Sequence, residues 1–265
     1  MPILRRSIFA RFLLAFALAA LAGCTTIQYR DVQSQFEQAV RADNEQSSQP
    51  FTDTTKRYEG VAAELTPAYI AKLDDKLQPN AWTLRAVSEW RAGQFSNALQ
   101  SADEGLNAIA RVAQKDPKFD ASRDSVILTM IPGLVEDARL RQRLQALGPQ
   151  DVAAHYNDYK EKFRNALRAL AEASGKMTEA TPPAARYYWY YQSWRILKNW
   201  QIVIGKLPFD RQKQANLQAD EIVAATLGDT SLRGAATLPA AADKAEKAIP
   251  DGHAYRQLIE LEKRS

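Results

Sequence analysis

Apolar residues in this chain recur at steps of three and four, and nowhere at a sustained step of two. The segment opening at Asp151 is the clearest case. Val152, Tyr156, Tyr159, Phe163, Ala166 or Leu167, and Leu170 would share one face of a single long helix ending near Gly175, with Asp151 placed to cap it. That period favours helix over a sheet, in which alternate residues face opposite sides. Composition agrees: only 11 glycines occur in 265 residues, while alanine, leucine, glutamine, lysine and arginine are abundant. The expected fold is all-α, built of antiparallel helical hairpins arranged as a repeat-like array or a helical bundle.

The same reading divides the rest of the chain. Residues 27–42 place Val32, Phe36 and Val40 on a narrow apolar stripe, predicting a first helix that either packs back on the domain or serves as a spacer from the membrane, the first being preferred because Phe36 and Val40 need cover. The segment 43–50 (DNEQSSQP) reads as a solvated loop. A helical pattern over 52–77 breaks at Thr66-Pro67, which suits a Thr cap followed by Pro at the first helical position. Pro132-Gly133 marks a break or kink in the apolar-then-basic segment before Gly148, whose Arg139, Arg141 and Arg143 spread around a solvated helix. Helices are expected from Thr181-Pro182 to Gly205, over 209–227 and over 255–263, with an alanine-rich stretch 235–249 left unassigned.

The first eleven residues carry Arg5, Arg6 and Arg11 and no acid, and Phe12 to Leu21 is continuously apolar. A charged n-region followed by an h-region is the pattern of an export signal, and the stretch is too short to span about 30 Å of hydrocarbon. It runs into Leu21-Ala22-Gly23-Cys24, which resembles the lipobox of bacterial lipoproteins at all four positions. The resemblance implies removal of residues 1–23, diacylglyceryl transfer to the Cys24 thiol and acylation of the new amino terminus. Two or three chains hold a protein firmly, since each buried CH2 contributes about 0.8 kcal/mol. Thr25 stands where inner-membrane retention uses Asp, so the lipoprotein resemblance implies the outer membrane, periplasmic face. Arg5-Arg6 also resembles a twin-arginine signal, but Ser7-Ile8-Phe9 fits that pattern poorly. The chain then divides into the signal, a lipidated segment 24–51 and a helical domain 52–265.

Between Pro79 and Ala113, Trp82, Ala86, Gly93, Phe95 and Ala98 fall at spacings that resemble one tetratricopeptide repeat, a unit of two antiparallel helices. The small Ala86 admits the second helix, Gly93 permits the turn, and Phe95 starts the return toward Trp82. Ala102 and Gly105 depart from the pattern, and no second copy lies one period away. Stacked repeats must bury one another's faces, so the neighbours are either divergent helical pairs or members of an unrelated bundle.

Removing the signal's three arginines from 35 basic residues leaves 32 against 31 acids, which argues against nucleic acid as a partner. With Cys24 lipidated no thiol remains, so stability must come from core burial. The chain has only two histidines, His155 and His253, both read as surface residues, and no closely spaced ligand pair. Neither GxSxG nor a P-loop occurs, and no Glu is followed by Ser as in lytic transglycosylases. Asp74-Asp75 and Glu136-Asp137 read as helix-surface charges. No metal, cofactor or catalytic residue is expected, and an enzyme is the least favoured reading.

Tyr187 to Tyr191 (YYWYY), followed by Trp194 and Trp200, puts aromatics on every side of one helix. Such a helix is central to its domain or presents one side to a ligand or partner, and Tyr188, Trp189 and Arg195 are the candidate contacts. Two functions follow. The leading one is a lipid-anchored, non-enzymatic adaptor that binds another envelope protein. The alternative is a ligand-binding lipoprotein similar to helical repeat components of some solute transporters. An aromatic-lined cavity favours the second, and an open concave face the first.

Overall fold

The computed structural model describes residues 27–42, 52–144 and 147–264. The signal segment, Cys24 and the polar loop 43–50 lie outside them. The described residues form helices and turns with no strand. In chain order the helices are α1 (27–42), α2 (Thr52–Glu64), α3 (Pro67–Ile70), α4 (Gln78–Arg91), α5 (Phe95–Lys115), α6 (Ser122–Leu144), α7 (Pro149–Ala154), α8 (Tyr156–Gly175), α9 (Pro183–Gly205), α10 (Phe209–Leu227), α11 (Leu238–Lys247) and α12 (Ala254–Glu262).

Local chemistry sets several boundaries. Thr66 caps α3 by accepting from the Tyr69 amide at 3.2 Å, with Pro67 at the first position. Gly93 makes the turn from α4 to α5 at φ 76°, a left-handed conformation that costs glycine little. Thr237 caps α11 in the same way as Thr66, accepting from the Ala240 amide. The unassigned alanine-rich stretch is therefore a helix. Its Leu238, Ala241, Ala242 and Ala245 form a buried stripe of mostly small side chains that lets α11 lie close along α9.

Two sequence expectations need correction. The helix expected from Asp151 is two helices, because His155 at φ −101° and ψ 8° leaves the helical region and separates α7 from α8. Asp151 sits in the first turn of α7 and does not cap it. Of the break or kink expected at Pro132-Gly133, the break does not occur: α6 continues as one helix through Pro132. Packing prevails over local propensity there: Val126, Leu128, Met130 and Ile131 are buried before the proline and Leu134 and Val135 after it.

Two cores hold the helices together. The larger is built by α6, α8, α9, α10 and α11, with α8 laid along α6 and α9 in contact with α6, α8, α10, α11 and α12. The aromatic helix is thus the central element. Phe163 stacks on Trp200 at 4.6 Å between centroids and 3° between planes, and Tyr156 leans on the same indole at 5.8 Å. The smaller core gathers Tyr29 and Val32 of α1, Val61 of α2, Ile70 of α3, Trp82 of α4 and Ala108 of α5. Helix α1 packs back on the domain through these residues. Each fully buried large aliphatic side chain contributes about 1.5–3 kcal/mol, which makes α1 an integral helix and not a spacer.

The α4–α5 hairpin bridges the cores. Trp82 belongs to the smaller, while Phe95 packs against the larger under the guanidinium of Arg139, 5.6 Å from its ring centroid. Helix α5 returns along α4 as expected and meets Trp82 at Gly105, several turns beyond Phe95. Gly105 explains one departure from the repeat pattern. A Cβ there would lie 2.7 Å from Leu128 Cδ1 and 3.0 Å from Trp82 Cβ, so where α5 crosses α4 and α6 the usual alanine would require Leu128 to shift.

A candidate ligand-binding cleft

The two cores do not close completely against each other. Between them lies a partly open, mostly apolar cleft of about 250 Å3. Phe36 and Val40 of α1 and Tyr58 of α2 form one wall; Leu84 and Val87 of α4 and Ile127 of α6 form its floor; Tyr188 and Tyr191 of α9 with Tyr255 and Leu258 of α12 form the other wall. The stripe that required cover for Phe36 and Val40 is the origin of the first wall. Phe36 meets Tyr58 edge to face at 6.1 Å. Opposite them Tyr255 stacks on Tyr191 at 5.1 Å and 9°, and leans on Tyr188 at 5.7 Å.

The polar groups of the cleft sit at two ends. At the first, Asn80 Oδ1 accepts from Tyr29 Oη at 2.7 Å and from Gln33 Nε2 at 3.0 Å, while Asn80 Nδ2 donates to Asp124 Oδ1 at 3.3 Å. Arg123 Nη2 lies 3.2 Å from the same Asp124 oxygen, so this end is neutralised by its own residues. Burial and the nearby Asp124 hold the Tyr29 phenol well above its ordinary pKa.

At the second end Arg91 lines the cleft beside Tyr191 and Tyr255 and covers the Trp90 ring at 4.5 Å. Tyr191 Oη donates to Glu262 Oε1 at 2.6 Å, and Arg195 Nε stands 3.4 Å from that oxygen. Burial pushes the Tyr191 phenol up to about 12, against the pull of Arg195. Burial and the neighbouring Tyr188 raise Tyr255 likewise.

The three contact candidates from sequence separate. Tyr188 is half-buried and lines the cleft. Trp189 is 0% exposed, and its Nε1 donates to the Leu170 carbonyl at 2.8 Å. It is a core residue and is removed from the contact set, because its position on α9 points it at α8. Arg195, 8% exposed, is also withdrawn: it lies behind Tyr191, 5.6 Å from that ring's centroid, and holds Glu262. The residues that sequence reasoning missed are Tyr58, Arg91 and Tyr255. Each sits on a different helix, and no local pattern links them.

The other chemical candidates stay apart. His155 is exposed and its Nδ1 donates to the Asp151 carbonyl, 2.9 Å away, whereas His253 caps α12 and meets Tyr187 edge to face. Among the described residues no group of three or more His, Cys, Asp or Glu is arranged to hold a metal ion. Asp75 pairs with Lys115 at the surface. Asp137, read from sequence as a surface charge, is 6% exposed, bonded by Asn199 Nδ2 at 2.9 Å and paired with Arg141 at 3.1 Å. No family model matches the chain, and no curated protein or solved structure is significantly similar to it.

Proposed function

We propose that this protein is a ligand-binding lipoprotein, anchored through Cys24 at the periplasmic face of the outer membrane, which takes a small molecule into the cleft between its two cores. The single observation that carries the reading is the cleft itself: about 250 Å3, lined by Phe36, Tyr58, Tyr188, Tyr191 and Tyr255, with its charged groups confined to the ends. Its volume lies just below the range of drug-sized sites, which suits a ligand of one or two rings or a short chain. Aromatic walls supply contact area at low entropic cost, and the few end groups supply orientation. An adaptor needs an open concave face instead, so the cleft favours the ligand reading over the one that sequence alone put first.

The anchor rests on the LAGC sequence and on the lone cysteine within it. No helix among the described residues is long and apolar enough to cross a membrane. Only two residues, Thr25 and Thr26, separate Cys24 from the start of the described α1, three Cα steps with a reach of at most about 11 Å, so a lipidated chain holds its domain against the bilayer. Cys24→Ser is expected to abolish labelling by a palmitate analogue and to leave the precursor uncleaved.

The cleft is tested by filling it. Leu84→Trp adds a ring on the floor, and its melting temperature is expected to stay within a few degrees of wild type. Small organic molecules that raise the wild-type melting temperature should fail to raise that of the filled variant. A screen in which every stabilising molecule acts equally on both proteins overturns the reading.

A further inference from the structure

The cleft is long rather than round. Asn80, Thr83, Leu84, Val87 and Arg91 of α4 line it at i, i+3, i+4, i+7 and i+11, one continuous face of that helix. At 1.5 Å per residue the floor runs about 16 Å from Asn80 to Arg91, and its apolar part ends at Val87, about 10 Å along. A volume of about 250 Å3 drawn out over that length is a channel for a chain and not a slot for a ring. The aromatics agree. Phe36 turns to Tyr58 on one wall, and Tyr255 turns to Tyr191 and Tyr188 on the other, so their ring contacts are made within each wall. What they present to the cleft is apolar surface, joined by Val40, Ile127 and Leu258.

The two ends differ in their distance from the anchor. Tyr29 and Gln33, in the opening turns of α1, both donate to Asn80 Oδ1, which places the Asn80 end beside the start of the helix that follows Cys24 after two residues. The groups at this end hydrogen-bond while their charges cancel: Arg123 stands against Asp124, and Asn80 Nδ2 donates to the same carboxylate. A charged head group would set itself against one member of that pair, whereas a hydroxyl or ester adds a hydrogen bond and no charge. Arg91 stands at the far end over the Trp90 ring, with the Tyr191 phenol held by Glu262. Covering a guanidinium with hydrocarbon is costly whatever else it touches, so a chain fits best up to about Val87.

Resting on the ligand-binding reading above, we infer that the ligand is a neutral single-chain lipid of the monoacylglycerol class, taken from the bilayer to which Cys24 tethers the domain. Its hydroxyl or ester head sits at Asn80 and Asp124, and its chain lies along Leu84 and Val87 between Phe36 and Tyr188. An apolar run of about 10 Å on a floor of about 16 Å matches extended chains of about 8 to 12 carbons. Bilayer and cleft offer the chain similarly apolar surroundings, so the hydrogen bonds of the head and the fit of the tail decide occupancy. The short tether keeps the cleft within reach of lipid and raises the concentration that it meets.

The test places the full lipidated chain in lipid nanodiscs with a 1-decanoylglycerol analogue that carries a diazirine on the last chain carbon. Light should attach the probe to α9 or α12, near Tyr188 or Leu258. Leu84→Trp, melting within a few degrees of wild type, should remove about nine-tenths of the label. At equal mole fraction in the disc, unlabelled 1-decanoylglycerol should compete at least tenfold better than decanoate, decylamine or 1-palmitoylglycerol. Equal competition by either charged analogue overturns the neutral head, by palmitoylglycerol the chain length, and by 2-naphthol the chain itself, each leaving the cleft a binding site. Label confined to Gln33 or Asn80 overturns the orientation of the lipid. If wild type takes no probe but the mature chain exported behind a non-lipoprotein signal does, the occupant is the protein's own lipid and the bilayer source is overturned. Label that survives Leu84→Trp unchanged overturns the inference. The ligand-binding reading falls with it only if the stabilising small molecules also act equally on both proteins.

Discussion

Tyr191 and Glu262 are 71 residues apart in the chain, yet the phenol donates to the carboxylate at 2.6 Å and joins the central helix to the last one. Helix α12 has little else to hold it, since Ile259 is its only fully buried residue. Its ion pairs with α9 and α11 therefore decide where Tyr255 and Leu258 stand in the cleft wall. Tyr191→Phe should cost about 0.5–1.5 kcal/mol. Glu262→Ala should cost more, about 1–3 kcal/mol after allowance for the exposure of that carboxylate, because it leaves Arg195 buried without its partner. Urea melts of the two single variants and the double variant check this, and additive losses would show that the two groups are not coupled.

Adjacent residues Tyr188 and Trp189 should behave oppositely. Trp189 is enclosed by the larger core, so Trp189→Ala should cost about 3–5 kcal/mol. Trp82→Ala should cost a similar amount in the smaller core. Tyr188→Ala removes a half-buried cleft wall, with an expected cost of about 1–2 kcal/mol and a clear loss of ligand binding. Thermal melts compared with titrations separate the two effects. A Tyr188 variant that melts as low as the Trp189 variant would make Tyr188 a core residue too.

Gly133 is where α6 touches α8. A Cβ at that position would lie 2.8 Å from the Ala166 carbonyl oxygen and 3.0 Å from Ala169 Cβ. The first obstacle is backbone and cannot rotate away, so Gly133→Ala should lower stability by about 1–3 kcal/mol despite alanine's better helix propensity. Gly105→Ala meets the movable end of Leu128 first and should cost less. Denaturant midpoints for the pair provide the check, and a Gly133→Ala protein as stable as wild type would show that the two helices are free to separate.

What was legible in the sequence was whatever one segment specifies by itself. The stripe through Val152, Tyr159 and Phe163, the cap at Thr66, the turn at Gly93 and the encirclement of α9 by aromatics all follow from neighbours in the chain. The break at His155 was not legible, because the apolar stripe continues through it. Nor was α11, whose alanines give little contrast between buried and exposed faces. The cleft was hardest of all. Phe36, Tyr58, Arg91, Tyr188 and Tyr255 come from five helices, and their meeting depends on how α1, α2 and α12 dock. Only the uncovered stripe of Phe36 and Val40 and the aromatic run that holds Tyr188 pointed to it. Asp137 was misread for a related reason: a charge next to Glu136 looks solvated until Asn199, 62 residues away, is seen to bond it.

The buried phenols predict how stability responds to alkali. Tyr29, Tyr191 and Tyr255 are all held above the ordinary tyrosine value of 10.0, with burial the largest cause in each. A group whose folded-state pKa is raised binds its proton more tightly in the native state. Its contribution is therefore complete below the unfolded value and declines as pH climbs toward the folded one. Stability should thus be level in this respect up to about pH 9, then fall steeply between the unfolded value of 10.0 and about 12, where Tyr191 titrates in the folded protein. Absorbance at 295 nm should register the exposed tyrosines first and these three only together with unfolding. Tyr191→Phe and Tyr255→Phe should each make the alkaline decline shallower while lowering neutral-pH stability only modestly. Tyrosine titration that finishes as one wave centred near pH 10, with the helical circular dichroism intact, would show that the phenols at the α9–α12 end are open to solvent and that the second wall of the cleft is not closed as described.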